Sequence, residues 1–139
     1  MFGFGKRKKI EKLVEIIGNT FTGQTALMPI TPDEFIEFAK VDELVSGYVM
    51  GFQMQIITNS PFSERDHQGI LSDSYYNLFG DLDFADVLKF AYRNANNPTF
   101  KNGLTLGIRD IVNFGLDATN HPKGLLLILD GKAEELRVS

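Results

Sequence analysis

The chain has 139 residues, of which 43% are hydrophobic, with a net charge of −4 and no cysteine. A chain of this length buries roughly two-thirds of its unfolded surface and needs no disulfide or metal to fold. The missing cysteines exclude disulfide frameworks, thiolate zinc sites and cysteine nucleophiles. With Lys6, Arg7, Lys8, Lys9 and Lys12 set aside, nine basic residues stand against eighteen acidic ones, and so acidic a body excludes a general nucleic-acid binder, because phosphate contacts need a basic surface.

The first eighteen residues, MFGFGKRKKIEKLVEIIG, place cations ahead of an apolar run, but Glu11, Lys12 and Glu15 interrupt that run and no small-residue cleavage site follows. The expectation is a cytoplasmic protein rather than a secreted one. Ile10, Leu13, Val14, Ile17 and Phe21 share one side of a helix. Residues 1–9 read as a basic, flexible end. Phe2, Phe4, Lys6, Arg7, Lys8 and Lys9 are its surface-anchor candidates, suited to weak contact with acidic lipid or an acidic partner.

Residues 19–31, with Gly23 and Pro29 among small polar side chains, read as a connection with room for an extra turn of helix. Thr31, Pro32 and Glu34 then spell a capping box with proline at the first helical position, and Phe35, Ile36, Phe38 and Ala39 face inward. A second helix start at Asp42 is expected, since one rod to Thr58 would be longer than most globular helices.

From Leu44 to Ile57 the chain carries no charge and is apolar almost all the way round. Fourteen residues is short of the ~20 that a bilayer crossing takes. The stretch, about 42–58, therefore reads as the central helix of a bundle, covered on at least two sides. Gly47 and Gly51 each cost about 1 kcal/mol of helix propensity relative to alanine, a cost tolerated where another backbone crosses closely. A crossing helix is expected there. Met50 and Met54 suit an adaptable contact, so Gly47, Met50, Gly51, Met54 and Ile57 are the interface candidates.

After Asn59-Ser60-Pro61, Ser60 or Ser63 opens a helix whose inward face is Ile70, Leu71, Tyr75, Leu78 and Phe79 and which stops at Gly80. Asp83 is positioned to cap the next, with Phe84, Val87, Leu88, Ala91 and Ala95 at helical spacing. Leu104, Ile108, Ile111, Val112 and Gly115 mark another. Leu125 to Leu129 followed by Asp130-Gly131 fits a hairpin or a helix, and the helix formers from Lys132 to Leu136 favour the helix. The architecture expected is all-α: one domain over 1–139, a bundle of five to six helices.

Chemistry-bearing patterns are sparse. Imidazole chemistry rests on His67 or His121, and the candidate site is His67 with Asp66, Glu64 or Tyr75, a general base oriented by a carboxylate. Glu64 and Asp66 equally suit the positive end of a helix. Asp81, Asp83 and Asp86 lack the EF-hand glycine and glutamate, so no metal and no cofactor is expected. Arg109, Asn113 and Asp117 align at i, i+4 and i+8. Arg93, Asn94, Asn96 and Asn97 cluster near a helix end, and His121 with Lys123 adds a polar loop; these are recognition candidates. No Walker loop, dinucleotide fingerprint, His-Glu-x-x-His, Gly-x-Ser-x-Gly or Cys-x-x-Cys occurs.

The function expected from this balance is a non-enzymatic protein-protein interaction domain that pairs with itself or with another protein. The alternatives are an immunity- or inhibitor-type protein capping a basic partner, and a small enzyme using the His67 site.

Overall fold

Start and stop signals divide the chain more finely than periodicity alone. The computed structural model describes residues 2–116 and 122–138, the side chains of 2–4 and 135–138 excepted. Its helices are α1 (Phe2–Thr25), α2 (Pro32–Val41), α3 (Glu43–Thr58), α4 (Glu64–Phe79), α5 (Phe84–Arg93), α6 (Pro98–Leu116) and α7 (Gly124–Val138). The molecule is 82% helical and forms one compact helical domain. Both points left open in the sequence resolve as separate helices, at Asp42 and in the tail, which brings the count among the described residues to seven.

The caps explain the boundaries. The Thr31 hydroxyl accepts from the Glu34 amide at 3.1 Å and the Glu34 carboxylate accepts from the Thr31 amide at 2.8 Å, a complete capping box. Asp42 adopts an extended backbone, ends α2 and accepts from the Val45 amide at 3.0 Å, so the rod breaks there. The Asn97 carboxamide oxygen accepts from the amides of Thr99 and Phe100 and thereby starts α6. Gly80, at φ 82°, lets the chain leave α4 through a conformation that side chains disfavour. Two expected caps occupy the N-cap position without bonding the helix. Asp83 turns to Lys40 at 2.7 Å, and Ser63 donates to Asp66 at 3.1 Å.

Helix α3 is the centre, with ten of its sixteen residues buried. Its thin polar seam is covered too: Ser46 and Gln53 are buried, and the Gln53 amide donates back to the Val49 carbonyl at 3.1 Å. The most extensive contact in the molecule is between α3 and α6, and glycines make it. A methyl group on Gly47 would overlap the carbonyl of Phe100, and one on Gly51 the carbonyl of Leu104. From the other side, Gly103 sits on the Leu44 carbonyl and Gly107 on that of Tyr48. Partner numbers rise together, so α3 and α6 run parallel, two small-residue faces four residues apart laid against each other, as small-xxx-small pairs do.

An aromatic chain ties α1, α2 and α4 to this pair. Tyr48 packs on Phe52, Phe52 edge-on against Phe21, Phe21 on Phe35, Phe35 on Phe79 and Phe79 on Tyr75, with ring centroids 5.2–5.9 Å apart. Such pairs contribute about 0.5–1.5 kcal/mol each beyond the area they bury.

Two expectations shift. Helix α1 runs on through residues read as a connection, because Phe21 and Gln24 are buried on its inner face while the Thr20 and Thr22 hydroxyls bond back to the carbonyls of Ile16 and Gly18. In α6 the inner face is Phe100, Gly103, Gly107 and Ile111, and Val112 is 41% exposed. The glycines, which carry no hydrophobic signal, define the face and rotate it away from the larger side chains. No helix among the described residues is long and apolar enough to cross a membrane.

Candidate functional site

The region of His67 was the sequence's one candidate for catalysis, and its groups face different ways. Lys6 of α1 reaches Asp66 at 2.9 Å; that bond, with the Ser63 hydroxyl, holds the Asp66 carboxyl below its ordinary range against the opposing effect of burial. His67 Nε2 lies 3.1 Å from the Phe62 carbonyl oxygen. Glu64 is exposed, and Tyr75 is buried about 12 Å further along the helix. The four do not form one constellation.

The other candidates are likewise dispersed. Gly47 and Gly51 are filled by α6, Met50 is 8% exposed, Ile57 is fully buried and Met54 is half-buried against the core. Of the basic segment, Lys6 pairs with Asp66, Arg7 approaches Glu11 at 3.8 Å, and Lys8 and Lys9 are exposed. Phe2 and Phe4 stand in the first turn of α1, their side chains outside the described residues. Arg93, Arg109 and Asn113 are exposed, whereas the Asn94 amide closes α5 by donating to the Phe90 carbonyl at 2.8 Å. Asp117 and His121 lie outside the described residues. Asp83 is engaged with Lys40, and no group of three or more metal-ligating side chains occurs among the described residues.

Two features escaped the sequence. The first is a polar junction of four helices. Gln24 donates through Nε2 to the Tyr48 hydroxyl at 2.8 Å, and Tyr48 donates to Asp110. Asp110 accepts from the Gly124 amide at 2.7 Å, and Gln24 Oε1 from the Leu125 amide at 3.1 Å, which together cap α7. Burial first, then the Asp110 carboxylate, pushes the Tyr48 phenol far above its usual range. This junction ties α1, α3, α6 and α7 together.

The second is a groove of about 980 Å³ between α1, α2 and α4. Its lining on α1 runs from Arg7 to Thr25, about 27 Å along the helix axis. Val14, Phe21, Met28, Phe35, Ile36 and Leu78 form an apolar floor. Glu11, Glu15 and Asp73 stand on the rim with Arg7, beside Asn19, Asn77 and the half-exposed ring of Tyr76. Asn77 occupies the space where a Gly18 side chain would be, so the two walls close together at that point. A second, more apolar groove of about 740 Å³ lies between α1, α6 and α7, lined by Leu27, Phe114, Pro122 and Leu126 among others. Leu27 is 75% exposed, and on the two neighbouring helices Leu116 and Leu127 are exposed to a similar degree.

A chain with this geometry belongs to the class of compact all-α domains built on a parallel glycine-packed helix pair. Set against models of protein families, curated proteins and solved structures, it matches none.

Proposed function

We propose that this chain is a non-enzymatic protein-protein interaction domain that takes a protein partner in the groove between α1, α2 and α4, with the cytoplasm as its setting. The groove itself carries the reading. It is long and shallow-sided rather than a closed cavity, it combines an apolar floor with a polar rim, and its walls are helices fixed by the aromatic chain behind them. A photo-crosslinking residue in place of Tyr76 is expected to give discrete protein adducts in cells, and the same residue at the exposed Lys89 on α5 is expected to give none. Equal labelling from both positions, or no adduct from Tyr76, removes the groove as a docking site.

The exposed Leu27, Leu116 and Leu127 around the α1/α6/α7 groove favour a second reading, in which that face pairs with another copy of the chain. Light scattering at micromolar concentration then reports about twice the monomer mass of 15.6 kDa, and a Leu116→Glu variant returns it to 15.6 kDa. A wild-type mass at the monomer value ends the second reading without touching the first.

A further inference from the structure

The occupant of the α1/α2/α4 groove can be specified further, on the footing that the groove is a docking site at all. Of the four charged side chains that line it, Glu11, Glu15 and Asp73 are acidic and Arg7 is basic. Arg7 lies toward Glu11 at 3.8 Å, and Glu15 and Asp73 make no salt bridge among the described residues. The free charge of the rim is thus negative, in a body whose remaining balance is also acidic. Tyr76, on the same rim, is half-exposed and packs steeply against Phe84 with ring centroids 5.2 Å apart, an aromatic side chain within reach of a cation at the rim. Below the rim, Val14 and Phe21 of α1 and Phe35 of α2 are almost fully covered, and the apolar surface left open comes from Met28 just beyond α1, Ile36 of α2 and Leu78 of α4.

The α1 side of the groove, about 27 Å long, corresponds to some 18 residues of helix, and apolar positions at i, i+3, i+4 and i+7 of such a segment reach a floor of this kind from one side. We infer that the groove takes a basic amphipathic helix of a partner protein, its apolar stripe on Met28, Ile36 and Leu78 and its flanking lysines or arginines against Glu15, Asp73 and Tyr76. The negative rim sets the sign of the partner and speeds encounter, while the floor supplies the larger part of the affinity.

Three synthetic peptides of about 18 residues, with one common leucine stripe and a polar face of lysine, glutamine or glutamate, test the assignment against the full chain labelled with nitrogen-15. The lysine peptide is expected to shift the amides of Gly18, Asn19, Asp73 and Asn77 and to bind at least about tenfold more tightly than the glutamate peptide, with affinity falling as salt rises. Glu15→Lys combined with Asp73→Lys, both at exposed positions, is expected to reverse that order, and Asp130→Lys on α7 to leave it unchanged. Should the charge reversal disturb the fold, Glu15→Gln with Asp73→Asn is expected to equalise the three peptides. Equal binding of all three to the wild-type groove overturns the basic partner while keeping the docking site; shifts confined to other surfaces, or none, overturn both.

Discussion

A tyrosine hydroxyl in a helical core stabilises the fold only where it completes a hydrogen-bond circuit, and this molecule holds one tyrosine of each kind. Tyr48 accepts from Gln24 and donates to Asp110. Tyr75 is equally buried, yet its hydroxyl has Gln53 as a polar neighbour without a hydrogen bond within reach. Tyr48→Phe strands a buried amide and loosens the carboxylate that caps α7, and is expected to cost about 1–3 kcal/mol, read as a lower Tm by circular dichroism. Tyr75→Phe removes a group without a partner and is expected to leave Tm unchanged or raise it. Both phenols have folded-state pKa values above the ordinary one, chiefly through burial. Their contribution is therefore fully present below about pH 10 and is lost as pH climbs beyond it, by up to about 1.4 kcal/mol per pH unit for each tyrosine. Alkaline unfolding is expected to be less steep in Tyr75→Phe than in the wild type.

Among the helices, glycine has two opposite effects, and the contact it makes decides which. Gly107 of α6 lies against the backbone of α3, whereas Gly69 of α4 has open space around it. Gly107→Ala is expected to push α6 off α3 and lower stability by more than 2 kcal/mol, since backbone at that contact cannot move aside as a flexible side chain would. Gly69→Ala is expected to raise it by about 0.5–1 kcal/mol through helix propensity. Chemical denaturation of the two variants separates the effects by sign. The same contrast explains how much could be read from the chain. Gly47 and Gly51 stood out because they interrupt an uncharged run, and a crossing backbone followed. Capping signals at Thr31 and Asp42 were equally visible, being local. Gly103 and Gly107 were not distinguishable from ordinary helix-weakening glycines, because only the identity of the facing helix gives them a role. The α1/α2/α4 groove was invisible for a related reason: Glu15 and Asp73 each look like ordinary solvated helix positions, and the docking of three helices brings them to one rim. Tyr48, read as one more member of an apolar stripe, concealed a junction whose other side chains lie 24 and 62 residues away.

For the molecule as a whole, the arrangement makes α3 common property. It touches α1, α2, α4, α5, α6 and α7, so that it cannot open without breaking the packing of every other helix. Amide exchange is expected to be slowest in α3 and in the facing turns of α6, at the free energy of global unfolding. The first turns of α1, tied down through Lys6 and Asp66 at the surface, are expected to exchange orders of magnitude sooner. Fast exchange at Val49 or Phe52 would contradict the account of α3 as the centre.

The parallel course of α3 and α6 also has a meaning in time. Parallel neighbours cannot follow one another directly, and here α4 and α5 are made in between. Gly51 leaves the ribosome 56 residues ahead of Gly107, a lag of roughly 3–11 s at ordinary elongation rates of about 5–20 residues per second. Throughout that interval the nascent rod lacks the α6 surface that covers Gly47 and Gly51, and slowing translation across residues 59–97 is expected to lengthen that exposure and lower the yield of native protein.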